Sequence, residues 1–119
     1  MIGFDKMIAI YTQLPGTDGW RMTLCPIASW KHRDESVTVR ILKEDVPAGF
    51  IRPDVFDGSD GTWTVRKGDI ALLVTGIANP PADLSDALDR WEQGAVSKVH
   101  WEAYDSALLP HLRFDVRLK

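Results

Sequence analysis

The chain has 119 residues, 45% apolar and 26% charged, with a net charge of −3 at neutral pH. That length fits one domain, 1–119, with a core of its own. The acidic balance and the lack of any Lys/Arg run argue against a module built to grip nucleic-acid phosphates, and the single cysteine, Cys25, excludes an internal disulfide.

The opening MIGFDKMIAI is too short and too charged for a signal peptide or a membrane span, so a cytosolic protein is expected. Ile8–Thr12 is β-prone, and Leu14–Gly19 is a turn cluster. Trp20, Met22 and Leu24 then alternate with Arg21, Thr23 and Cys25, and Pro26 interrupts at an edge or a bulge. The strand resumes over Ile27–Trp30. Lys31–Glu35 reads as a solvated charged connection. In Ser36–Lys43, Val37, Val39 and Ile41 share one face, opposite Thr38 and Arg40.

A long hydrophilic loop, 44–62, follows and is expected to project. Inside it lies an apolar strip of Phe50, Ile51, Pro53, Val55 and Phe56, costly in water and suited to docking. Deleting part of Asp45–Gly61 is expected to leave the fold intact and to abolish partner assembly. Trp63–Arg66 and a Lys67-Gly68-Asp69 turn predict a hairpin with the strand Asp69–Gly76. Ile70, Leu72 and Val74 form one face of that strand, and Leu73 on the other implies burial on both sides. Asn79-Pro80-Pro81 breaks the chain.

The one helix expected is Leu84–Gln93, capped by Asp83, with Leu84, Leu88 and Trp91 in one stripe and Gly94 as its stop. Val96–Tyr104 reads as a strand and Ser106–Pro110 as a loop. His111–Lys119 alternates strictly: Leu112, Phe114, Val116 and Leu118 against Arg113, Asp115, Arg117 and Lys119. The pattern predicts a mainly β fold, a small antiparallel β-barrel or sandwich with one short α-helix and a long projecting loop.

No chemical kit stands out. His32, His100 and His111 have no metal-ligand spacing, and one cysteine cannot complete a zinc site. Asp54, Asp57, Asp60 and Asp69 are not in EF-hand register, and Gly58 and Gly61 lack the Lys-Ser/Thr of a phosphate loop. Catalytic, cofactor and metal residues are therefore expected to be absent. Of five tryptophans, Trp20, Trp63 and Trp101 fall on core phases and Trp91 on the helix stripe. Trp30 ends a strand beside charge and is the candidate partner contact.

SVTVRI, then GFIRP, Phe56, WTVRKGD and a strand ending in Gly76 form an ordered series. It resembles a family of small tailed-bacteriophage structural proteins, the minor capsid or head–tail connector proteins of the phage neck. The closing HLRFDVRLK resembles that family's last strand, whereas AYDSALLP departs from its Asp-Asn-Arg-type turn. The resemblance implies no enzyme activity and no cofactor. It implies a connector or stopper subunit that forms a ring on the portal/adaptor and tail proteins and is monomeric alone. The protein would sit in the virion neck, and in the host cytoplasm during assembly, with DNA passing but not specifically bound and no membrane involved. A mildly acidic ring would repel phosphate. The alternative is a non-enzymatic barrel that binds a peptide or single-stranded nucleic acid, which requires exposed tryptophans on a basic face.

Overall fold

The computed structural model describes residues 6–16, 19–27, 29–75 and 92–118. Where apolar residues alternate, strands form: β1 Lys6–Gln13, β2 Trp20–Pro26, β3 Ser29–Arg33, β4 Ser36–Leu42, β5 Ile70–Thr75, β6 Glu92–Val99 and β7 His111–Leu118. They make one sheet in the order β2-β1-β5-β6-β7-β4-β3, antiparallel at every pairing. The fold is mainly β, as the alternation predicts.

The order forces the sheet to curl. β2 and β3 lie at opposite edges, yet β2 ends at Pro26 and β3 begins at Ser29. Three residues reach no more than about 11 Å. Seven strands laid flat would set the edges about 29 Å apart. The sheet therefore rolls until its edges meet at one corner, which agrees with its near-equal extents of 38 × 33 × 31 Å. Among the described residues no ladder pairs β2 with β3, so the sheet is not closed, and it is neither a closed barrel nor a sandwich.

The inner face holds the main core, in which Ile8, Ile10, Val37, Val39, Ile41, Leu112, Phe114 and Val116 are buried. A second cluster lies on the other face of β1 and β5: Ala9, Tyr11, Leu72 and Val74, with Trp20, Met22 and Leu24 packed against it. β5 is thus buried on both faces, as Leu73 opposite Leu72 predicts. Pro26 does fall at the end of an edge strand.

Four expectations change. Lys31–Arg33 are strand, not loop, and β3 joins β4 through Asp34-Glu35, where Asp34 adopts φ 51°. Trp63–Arg66 do not pair with β5, whose neighbours are β1 and β6; Trp63 makes only an isolated parallel bridge to Phe50. β6 stops at Val99, and Trp101–Tyr104 form a single helical turn, α1. An i, i+3 turn sends Trp101 and Tyr104 to the same side, where both meet Phe50. The expected helix Leu84–Gln93 lies outside the described residues except at its end, where Gln93 follows Glu92 in β6.

Candidate functional site

One end of the roll gathers the β1–β2 turn, the segment between β4 and β5, and the segment around α1. There the apolar strip has a structural use. The backbone of 49–51 runs beside Trp63: Trp63 N–H donates to the Gly49 carbonyl (3.0 Å), and Ile51 N–H to the Trp63 carbonyl (2.9 Å). Gly49 is required here, because it sits at φ +92° and a Cβ would fall 1.9 Å from the Gly61 oxygen. Phe50 then packs on Trp63 (centroids 4.7 Å), Tyr104 (5.4 Å) and Trp101 (5.9 Å). Trp63 is buried and donates its indole N–H to the Pro47 carbonyl at 3.0 Å.

The far side of the segment is tied as well. Arg21 of β2 donates to the carbonyls of Ser59 (2.9 Å), Thr62 (2.6 Å) and Gly58 (3.2 Å). Arg52 pairs with Asp105 and lies over the Trp101 ring at 5.0 Å. So 44–62 is a cap laced to both sides of the roll, not a free arm. Of the expected interface residues, Phe56 is buried at 8% exposure, Phe50 packs against the core, and Ile51 and Pro53 are half-buried. Only Val55 stands out, 62% exposed. Trp30 is half-buried against the core from the β3 edge.

Where the cap enters β5 stands a buried polar node. The Thr12 hydroxyl is 2.8 Å from Asp69 Oδ2 and 3.0 Å from the Thr64 carbonyl. Arg66 N–H donates to Asp69 Oδ2 at 3.0 Å. Thr12 has one proton for two acceptors while Asp69 is ionised. If Asp69 is protonated, it can donate to Thr12, and Thr12 to Thr64. Burial, only partly offset by the Thr12 and Arg66 contacts, pushes the Asp69 carboxyl up to about 6.

The candidate reactive groups are quiet. Cys25 is buried, and burial pushes its thiol up from the ordinary value. We expect thiol reagents to leave Cys25 unmodified in the folded protein and to label it fully in denaturant; fast labelling of the native state would show that the β2 edge opens. His100 lies between Glu102 (3.3 Å) and Asp115 (3.0 Å). Burial opposes the Asp115 charge, yet hydrogen bonds from His100 and Thr38 hold its carboxyl below the usual range. Among the described residues no group of three or more His, Cys, Asp or Glu could hold a metal ion, and no helix is long and apolar enough to cross a membrane.

Two surfaces escape the sequence reading. The first is apolar: Leu108 is 90% and Leu109 75% exposed, and Leu109 lines a shallow hollow with Leu42 and Pro110. The second is cationic. Lys31 and Arg33 on β3, Arg40 on β4 and Arg113 on β7 line one groove of about 320 Å³ with Ser29, Trp30 and Thr38. No protein-family model matches the chain, and neither a curated protein nor a solved structure does.

Proposed function

We propose that this protein is a structural subunit of a tailed-phage neck, a connector or stopper that joins a ring around the DNA channel and acts stoichiometrically. One observation carries the reading. The residues on which the family resemblance rests fold as one tied unit. SVTVRI is β4; GFIRP supplies the Gly49 turn, Phe50 and the Arg52 pair; Phe56 is buried; WTVRKGD supplies Trp63, Arg66 and the Asp69 node. Each of these pattern residues holds a defined place in the fold, as a shared framework requires.

The surface suits a ring. Ring contacts are heterologous, so one patch meets a different patch on the neighbour. Leu108 and Leu109 on one segment and Val55 on another are exposed apolar groups. The partners on this reading are the portal/adaptor and tail proteins, the location is the virion neck, and the free subunit is monomeric.

The test is removal of the gene from its phage. The expected outcome is DNA-filled heads that leak or fail to join tails. Infectious particles made without the protein, or purified virions that lack it, would refute the reading. The alternative, a non-enzymatic module for a peptide or single-stranded nucleic acid, is favoured by the cationic groove alone; the groove has one aromatic residue, Trp30, and that is half-buried in the core.

A further inference from the structure

We propose that the outer face of β3, β4 and β7 is a contact surface for the phosphate backbone of double-stranded DNA. The inference goes beyond the neck reading and does not rest on it: a subunit outside the virion could bind duplex, and a neck subunit could fail to.

The charges of this face come from alternate positions of three strands. Arg40 is registered directly opposite Arg113, and Lys31 opposite Thr38. Lys31 and Arg33, two residues apart, stand about 7 Å from one another along β3. Like charges directly opposite in a sheet destabilise it. Arg40 and Arg113 form such a pair, and no carboxylate lines their groove. Asp115, the nearest acid along β7, is already engaged by Thr38 (3.0 Å) and His100 (3.0 Å). Arg113 Nε is buried with no hydrogen-bond partner among the described residues. Among the described residues no carboxylate in the groove offsets the Arg40–Arg113 pair, and an external polyanion would do so. The net charge of −3 does not show this cluster, because Lys31, Arg33, Arg40 and Arg113 come together through strand order and not through composition.

The chemistry favours duplex over single strand. Single-strand platforms need exposed aromatic rings for the bases to stack on. Here the outward positions Ser29, Lys31, Arg33, Thr38, Arg40 and Arg113 carry none. What remains is charge and hydroxyl contact to phosphates, which positions a backbone without reading sequence. A duplex offers the denser phosphate array.

The experiment titrates the full chain into a short labelled random-sequence duplex, with a single strand of equal length and poly-glutamate as competitors. Four phosphate contacts predict about a 100-fold loss of affinity between about 50 and 200 mM salt. The double variant Lys31→Glu/Arg40→Glu, at exposed positions, should bind at least about tenfold more weakly and show a shallower salt slope with a melting temperature no lower than that of the wild type. No duplex binding at low salt, binding indifferent to the two reversals, or tighter binding of the single strand or of poly-glutamate would each overturn the proposal. If the double variant unfolds, Arg33→Gln and Arg40→Gln singly carry the same test.

Discussion

Replacing Trp63 with alanine is expected to cost about 3–5 kcal/mol of stability, the range for a buried tryptophan. Domains of this size hold about 5–15 kcal/mol in all, so the variant should sit near the edge of folding. The loss has three parts. Trp63 is buried in the main core, its indole N–H satisfies the Pro47 carbonyl, and its ring is the floor on which Phe50 rests. With the ring gone, Phe50 loses its seat, and Trp101 and Tyr104 lose Phe50. Chemical denaturation gives the number. A cost below about 1 kcal/mol would mean that the cap is peripheral. The same logic reverses the expectation that 44–62 can be cut out freely. Deletion would remove the carbonyls that hold Arg21 together with the Phe50 and Phe56 rings, and would uncover Trp63, Trp101 and Tyr104.

The second large effect concerns Asp69. Asp69→Ala would leave the Arg66 N–H without its acceptor in a dry site, at about 1–3 kcal/mol, while the Thr12 hydroxyl keeps the Thr64 carbonyl. Asp69→Asn keeps the shape and removes the charge, so the two variants should differ by most of that amount. The pH dependence has a definite sign. The folded carboxyl titrates near 6, above its unfolded range near 4. The native state therefore takes up a proton that the unfolded chain does not, as pH falls from about 7 to 4. Stability from this group is full below about pH 4 and is lost as pH rises through 6. Relative to Asp69→Asn, the wild type should gain about 1–2 kcal/mol on moving from pH 7.5 to 5. The carboxyls held low, Asp57, Glu102 and Asp115, act in the opposite sense and only at more acid pH. A difference between the two proteins that is flat or rises with pH would mean that Asp69 is ionised in comfort.

Strands that alternate over their whole length are readable from sequence. β7 is the clearest, with Leu112, Phe114 and Val116 inward and Arg113, Asp115 and Arg117 outward; Val37, Val39 and Ile41 in β4 follow. Short segments are ambiguous. Val99, Trp101 and Ala103 fit a strand, but Trp101 and Tyr104 fit a helical turn equally well, and contact with Phe50 decides. The apolar strip was visible as a strip, but whether Phe50 and Phe56 face a partner or their own core depends on where Arg21 and Asp105 lie. The basic face was hidden for the same reason. Lys31 and Arg113 are far apart in the chain, and only the order β7-β4-β3 brings them to one groove.

That order also makes β7 the keystone of synthesis. It lies between β6 and β4, so without it the described sheet is two fragments, β2-β1-β5-β6 and β4-β3. Neither fragment can bury both halves of the inner core, since Val37, Val39 and Ile41 are on one and Ile8, Ile10 and Leu73 on the other. The ribosome must reach Leu118 before the roll can close. Until then the nascent chain presents two unfinished edges, one at β6 and one at β4, to whatever strand or chaperone is nearby.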